Sequence, residues 1–549
     1  MSSHASGSDK PLEAFVSFPS PYTQSLLIQA LISCIPSLKL SLIPPSEGDP
    51  PALQWADYDL LSFDKPHSNP SKYLISSYIY RKALIRKHQL NSTIQAYLAK
   101  CDHRKIKSVL AEGGIPKGWN VELQFLDELD ELLMDDLYEL NDGMRKNEDL
   151  PVEDRSWYIL KPGFADRAQG IRMFSTETEL RAIFEEFEPP SSDEEEYESD
   201  DSKEGNEQYL ENENEDQPKD VDSMIDMLAK KAVEMGFDGE NEDSRDFEGV
   251  NDDDEDDKQE EDEDGTGVMT SQLRHFVIQE YMPNPVLFDI AQQSNTPSPF
   301  LEGYKFHLRA YVLLTSAYTV HLSKTMLALF SGSPYAPPRS SDGELDLRPH
   351  LTNTCLQTDS FGAPAPPEEL VKLFWELEGL NALSSTKDGK YENRGKITKE
   401  WLNEVFQKSG EVINETIKAG AECGSFGLQF MPNAFEIFGV DLILSFPPSS
   451  SSSFEPNSNC LKNELLIIPK ITLLEFNASP DFHQSGLRLK KDLLEMFKGV
   501  IKISIIPFFD LTIEDVEKDL IEDKNWKEVG DEKWGWTLIG KGEIRGSNW

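Results

Sequence analysis

Three short stretches of this 549-residue sequence carry side chains whose types and spacing suit phosphate and metal chemistry. In Leu473-Leu474-Glu475-Phe476-Asn477, a strand alternates its side chains with a period of two, which puts Glu475 and Asn477 on one face. A carboxylate beside an amide oxygen is a hard-oxygen pair of the kind Mg²⁺ takes, often shared with nucleotide phosphates. Asp441, at the head of Asp441-Leu442-Ile443-Leu444, offers a third oxygen from another strand. The same alternation in Lys305-Phe306-His307-Leu308-Arg309-Ala310 lines up Lys305, His307 and Arg309, with Phe306, Leu308 and Ala310 on the reverse. Three such groups beside an oxygen-lined metal site would clamp phosphates in transfer. Lys161 closes the apolar run Trp157-Tyr158-Ile159-Leu160 and is followed by Gly163 and Gly170. A cation there can neutralise phosphates while backbone N–H groups approach them. Each pattern taken singly also fits a strand with one solvent face. No GxxxxGK[ST] occurs, which excludes a P-loop, and the glycine spacing is not a dinucleotide fingerprint.

These residues need strands under them, and the chain has strand texture in the right places. Phe15 to Phe18 reads as a strand, Thr23 to Cys34 as a helix, and Trp55 to Phe63 as a second strand region. Ser76 to Leu90 reads as a helix whose basic face carries Arg81, Lys82, Arg86 and Lys87. Together they predict a small N-terminal α/β domain over 1–120. Strands follow at Trp157–Leu160 and Ile171–Phe174, closing a segment over 121–188. Further strands are expected at His275–Tyr281, Tyr304–Leu314, Ile437–Phe446 and Leu465–Asn477. Helices are expected at Glu368–Leu380 and Lys399–Ile417, a helical insertion over 365–420 within a larger domain spanning 269–510. A C-terminal segment, 511–549, completes the chain.

Apolar residues make up 38% of the chain, ordinary for a globular protein, so the net charge of −46 is what has to be located. Asp193 to Asp264 holds 34 acidic and 6 basic residues, a net of −28, which leaves only −18 for everything else. The acidity is therefore local, and it does not argue against anionic ligands elsewhere. The 189–268 stretch is too poor in apolar residues to offset the entropy of folding and is expected to be a long disordered insert. Five scattered cysteines give no CxxC pair, which argues against a disulfide scaffold or a zinc site. Leu26 to Ile43 is interrupted by polar residues and Pro36, short of a membrane span, so the expectation is a cytoplasmic chain without a membrane or an evident nucleic-acid site.

The order of these features resembles the ATP-grasp domain of the tubulin–tyrosine ligase-like family. Trp157 to Phe174 looks like its strand–Lys–Gly-loop unit over ATP. Gln279-Glu280-Tyr281-Met282 looks like the hinge whose backbone holds adenine. Tyr304 to Leu313 is similar to the family's K-F-D-[IL]-R strand, and His350-Leu351-Thr352-Asn353 matches its H-L-T-N motif. Phe438-Gly439-Val440-Asp441 and Leu474-Glu475-Phe476-Asn477 are similar to its metal motifs. Arg81-Lys82-Ala83-Leu84 resembles the helix that reaches the nucleotide from the N-terminal domain. Two departures stand out. The aspartate of the K-F-D-R strand is His307 here, and the arginine that ligases carry about twenty residues later falls in Met326-Leu327-Ala328-Leu329-Phe330, which has no basic residue. Both features resemble a fungal branch associated with processing bodies. In that branch a phosphatase-like domain can precede the ligase-like one, and these 549 residues hold none.

The resemblance implies an ATP-grasp α/β (α+β) fold with ATP and Mg²⁺ as cofactors. Mg²⁺ would sit on Asp441, Glu475 and Asn477. Lys82, Lys161, Gln279, Glu280, Tyr281, Met282, Lys305, Thr352 and Asn353 would hold the nucleotide, and Lys305, His307 and Arg309 would serve catalysis. Two functions stay open. One is an ATP-dependent ligase that joins an amino acid to a protein tail, by resemblance a tubulin tail, through an acyl-phosphate. The other is a catalytically silent interaction protein of cytoplasmic mRNA-decay granules, partnering decapping proteins.

Overall fold

The first strand signal grows into a parallel sheet. β1 (Glu13–Ser17), β2 (Lys39–Ser41), β3 (Ala52–Ala56) and β4 (Tyr73–Ile75) lie in the order β2-β1-β3-β4. The order reverses between β1 and β3, and such a reversal opens a crevice at the carboxyl ends of the strands. The helix after β1, α1 (Pro21–Cys34), starts where the sequence provides a cap: the Ser20 hydroxyl accepts from Thr23 N, and Pro21 presets the first turn. This computed structural model describes residues 12–45, 50–123, 125–163, 169–187, 275–290, 301–339, 345–353, 357, 367–447, 466–511 and 528–542. The expected disordered insert, 189–268, lies outside the described residues, as does much of 511–549.

The single helix expected over Ser76–Leu90 is not formed. The chain makes one short turn, α2 (Lys82–Ile85), extends at Arg86 (φ −91°, ψ 118°), and starts a long helix, α3 (Lys87–Arg104). Local spacing suggested one continuous basic face. Tertiary pairing divides it instead, sending Arg81 to Glu436 and Lys87 to Glu475.

A second sheet, all antiparallel, contains β5 (Gly118–Glu122), β6 (Tyr158–Pro162), β7 (Arg172–Phe174) and β8 (His275–Glu280) in the order β5-β8-β6-β7. β5 runs past residue 120, the expected end of the N-terminal domain, and so ties that stretch to the second sheet. α4 (Tyr138–Glu148) and α5 (Glu177–Glu186) cover one face, burying Leu140, Met144, Leu180 and Phe184 against Tyr158, Leu160, Phe276 and Ile278. A capping box between Thr176 and Glu179 begins α5.

The remaining eleven strands make one large sheet. They are β9 (Leu287–Phe288), β10 (Tyr304–Thr315), β11 (Thr319–Ser323), β12 (Leu327–Pro334), β13 (Val371–Leu373), β14 (Asn381–Ser385), β15 (Tyr391–Lys396), β16 (Phe435–Ser445), β17 (Lys470–Asn477), β18 (Glu532–Lys533) and β19 (Trp536–Lys541). β10 is its hub, pairing with β9, β11, β12 and β16, and β16 pairs with β17. The helix expected at Glu368–Leu380 is instead a turn, β13 and a 3-10 turn, because Val371 to Leu373 pairs with Leu327 to Leu329. Sheet hydrogen bonds override a short helical pattern. The helix expected from Lys399 does form, as α6 (Lys399–Cys423), with Thr398 as its cap.

β10 shows how this scaffold makes a site. Phe306, Leu308, Ala310, Val312 and Leu314 join the core that includes α6, whereas Tyr311 and Leu313 join the cluster under α1 and α7 (Lys490–Val500). Continuing that second face toward the strand's start gives Arg309, His307 and Lys305. The apolar reverse anchors the strand, and the polar end is left facing the N-terminal sheet.

Candidate functional site

The centre of the site is a buried carboxylate on β16. The β10–β16 register sets Arg309 opposite Asp441, and the β16–β17 register sets Asp441 opposite Glu475 and Gly439 opposite Asn477. Arg309 Nε donates to Asp441 Oδ1 at 2.5 Å and its Nη2 to Oδ2 at 3.0 Å, a two-pronged pair, while Asn477 Nδ2 stands 3.3 Å from Oδ2. Burial by itself would raise the Asp441 carboxyl; the Arg309 guanidinium and the hydrogen bonds outweigh it and hold the group below its usual value. Arg309 is raised in return: Asp441 opposes the burial that would lower it.

His307 lies two residues before Arg309 on the same face. Its Nδ1 is 2.5 Å from Thr352 Oγ1, and its Nε2 is 3.7 Å from Asp441 Oδ1 with no hydrogen-bond partner. Burial lowers its affinity for a proton. Lys305 donates to Tyr281 Oη (2.9 Å) and to the His350 carbonyl (2.7 Å), and Tyr281 Oη also meets His350 Nδ1 at 3.1 Å. Burial and the neighbouring Lys161 push Lys305 down to about 7. Lys161 is buried too and is lowered by desolvation, with Glu475 and Asp441 pulling the other way. An anion arriving between these lysines would restore their charge, which is the electrostatic property of a phosphate site.

The other predicted residues are placed unevenly. Gln279 is buried and lines a small void with Lys161 and Lys87. In the expected hinge, the N–H groups of Glu280 and Tyr281 already donate to Lys117 O and Trp157 O, so neither is left for a base. Met282 follows immediately. Thr352 is occupied with His307, and Asn353 lines the main cavity. Lys82 is exposed and away from that cavity. Lys87 lines the cavity and reaches within 3.7 Å of Glu475 Oε2. In the sequence Arg86-Lys87 repeats Arg81-Lys82 five residues on.

The main cavity, about 500 Å³, opens between the two large parts of the molecule. One wall holds His307, Arg309, Glu475 and Asn477. The other is the crevice at the β1/β3 switch point, with Phe18 to Ser20, Asp57, Tyr58, Ser76, Ser77 and Arg81. Arg81 stacks on the Tyr58 ring at 3.8 Å and pairs with Glu436 at 2.8 Å. Composition did not single out this pair, because its partners are 355 residues apart in sequence.

The profile of the tubulin–tyrosine ligase family matches residues 62–513. The chain belongs to that family. It is 30% identical over 505 residues to a "probable tubulin–tyrosine ligase" of Schizosaccharomyces pombe, covering 92% of this chain and 94% of that one. It is also 30% identical to the "probable tubulin–tyrosine ligase PBY1" of Saccharomyces cerevisiae, over 90% of this chain and 51% of that protein's length. The crystal structure of the C-terminal domain of Kluyveromyces lactis Pby1, described as "an ATP-grasp enzyme interacting with the mRNA decapping enzyme Dcp2", aligns with a TM-score of 0.54 at 24% identity. It covers 97% of this chain and 100% of that domain, which establishes the ATP-grasp fold expected from the sequence. No helix among the described residues is long and apolar enough to cross a membrane.

The fold implies a divalent cation, and the donors on β16 and β17 are of the right kind. Asp441, Glu475 and Asn477 are hard oxygen donors on facing positions of two paired strands. Among the described residues no cage of three His, Cys, Asp or Glu side chains is gathered. Mg²⁺ does not require one, because it is commonly held by one or two carboxylates together with phosphates and water.

Proposed function

We propose that this family member binds ATP with a divalent cation and is built for ATP-dependent carboxylate–amine ligation. The observation that supports this reading most is a charge arrangement. Lys161 and Arg309 come from two sheets and lie within electrostatic reach of Asp441 and Glu475, and Lys305, also buried, feels the charge of Lys161. Burying Lys161 and Lys305 near the buried Asp441–Arg309 pair is costly unless a ligand completes the group.

In this reading Lys161, Lys305 and Lys87 neutralise the nucleotide phosphates, and Asp441, Glu475 and Asn477 hold the cation. When bound, that cation screens the phosphate charge. An acceptor carboxylate oxygen bonds to the γ-phosphorus as the β–γ bridge breaks, giving an acyl-phosphate and ADP. Arg309 offsets the charge that develops in transfer. An amine then attacks the acyl carbon, phosphate leaves and the amine proton passes to solvent. Wall-to-wall closure of the cavity would keep water from the acyl-phosphate.

The acceptor side departs from a tyrosine ligase. Met326 and the start of β12, Leu327 to Phe330, are buried and without a cation. Lys324, the basic residue just before it, is engaged with Glu532 at 3.0 Å and lies 4.3 Å over the Phe406 ring. A free amino-acid carboxylate has no fixed partner there. The reading is tested by calorimetry of ATP with and without Mg²⁺, then by labelled tyrosine with detyrosinated tubulin beside an active ligase. We expect cation-dependent ATP binding, weakened at least about tenfold in Glu475→Gln, and no tyrosination. Unchanged binding in Glu475→Gln removes that residue from the site; incorporation near the control rate restores a tyrosine ligase. A second reading, a binding protein of the decapping machinery, is favoured by the same missing cation and by the partner named for the K. lactis domain. ATP binding with no turnover on any acceptor would support it.

A further inference from the structure

His307 has a ring nitrogen with nothing to do. Its side chain is 7% exposed, and Nε2 has no hydrogen-bond partner although the charges of Asp441 and Arg309 act on the ring. An unpaired buried nitrogen of this kind carries a desolvation cost that a satisfied one avoids. The other nitrogen, Nδ1, is fixed at 2.5 Å from Thr352 Oγ1, so the ring cannot rotate freely to find a partner. What Nε2 faces is Asp441 Oδ1, 3.7 Å away.

That separation is informative. It is too long for a hydrogen bond. Two donors that share one ion at about 2.1 Å each stand roughly 3.0 to 4.2 Å apart, from a right angle to a straight line. The observed 3.7 Å falls inside that interval. Asp441 Oδ1 also accepts from Arg309 Nε, but a carboxylate oxygen has two lone pairs and one remains. The Thr352 contact on the far nitrogen is the outer-shell support that metal-binding histidines characteristically have. His307 and the start of the oxygen set, Asp441, therefore converge on the same volume from two paired strands, β10 and β16.

We propose that His307 Nε2 is a ligand of the divalent cation at this site, shared with Asp441, and that it makes the site favour Mn²⁺ or another first-row ion over Mg²⁺. This rests on the reading above that a cation and nucleotide bind here. The chemistry follows from donor type. Mg²⁺ takes oxygen almost exclusively, whereas imidazole suits first-row transition ions. An all-oxygen site has no such bias; one nitrogen introduces it.

The experiment uses the full chain with Mn²⁺ and a non-hydrolysable ATP analogue. Pulsed electron paramagnetic resonance of the bound Mn²⁺ reads directly coordinated nitrogen, and ¹⁵N-histidine labelling assigns it to a histidine. We expect a histidine nitrogen in the wild-type spectrum and its loss in His307→Asp. Competition between Mn²⁺ and Mg²⁺, followed by the same signal, should show the preference for Mn²⁺ falling about tenfold in that variant. Nucleotide-bound Mn²⁺ without a histidine nitrogen in the wild type overturns the inference with no variant needed. A histidine signal that survives in both His307→Asp and His307→Gln overturns it as well, by assigning another ring. Failure of any cation to bind with nucleotide would instead overturn the proposed function on which this depends.

Discussion

Two arginine–carboxylate pairs face the same cavity and end in opposite electrostatic states. Asp441 is held below its usual value beside Arg309, whereas burial pushes Glu436 up to about 7 despite Arg81. The charges and the burial are alike, so geometry decides. Arg309 meets Asp441 with two aligned N–H groups and Asn477 adds a third donor. Arg81 Nε comes within 2.8 Å of Glu436 Oε1 without a hydrogen bond of its own, its guanidinium lying over the Tyr58 ring. The Arg81 charge is the largest effect opposing that burial, followed by a backbone bond from Tyr78 N to Glu436 Oε2 at 3.1 Å. An ion pair without directed hydrogen bonds recovers less of the desolvation cost. The first pair keeps a buried carboxylate ionised; the second ties the N-terminal domain to β16.

The difference between the two pairs rests most on Arg309. Arg309→Met leaves Asp441 buried without its cation, and a loss of about 3–5 kcal/mol in urea unfolding at pH 7 is expected. A loss as small as that of a surface pair would show that Asp441 does not depend on it. Glu436→Gln tests the other pair through pH. Its folded value lies above its unfolded one, so its contribution favours the fold below about 4.5 and is lost as pH rises to about 7. The glutamine variant lacks that slope. Relative to wild type it should gain up to roughly 3 kcal/mol between pH 4.5 and 8, read from unfolding curves at several pH values. A difference that is flat with pH would mean Glu436 is ionised throughout.

Smaller effects separate the cations along α2 and α3. Lys87→Met should weaken nucleotide binding roughly tenfold, the scale of one charge-assisted contact, while Lys82→Met changes it less than about twofold. Calorimetry on both variants checks this, and a larger effect at Lys82 would return the nucleotide contact to the first basic pair. The smallest change is expected from deleting 189–268: nucleotide affinity within about twofold of wild type, since so charged a segment adds little to a packed site. A tenfold loss with the fold intact would give the insert a role in binding.

Much of the site was legible in the chain because strands encode faces. The alternation of Lys305, His307 and Arg309 against Phe306, Leu308 and Ala310 needs only the period of a strand, and β10 follows it. The same holds for Glu475 and Asn477 on β17. The Ser76–Leu90 reading went wrong for a related reason. Helical spacing is a statement about neighbours, whereas the break at Arg86 is set by where Arg81 and Lys87 find their carboxylates. At Val371 to Leu373 a helical pattern yielded to an available strand edge.

The sequence alone contains the inventory: which strands have one polar face, which residues stand on it, and where the acid is concentrated. What only tertiary structure decided is pairing. Register sets Arg309 against Asp441, the ion pair sets Arg81 against Glu436, and an unpartnered His307 nitrogen is left 3.7 Å from a carboxylate. Charge states followed from those pairings, because the cost of burying a charge depends on the direction and distance of the group that meets it, and no spacing along the chain contains either.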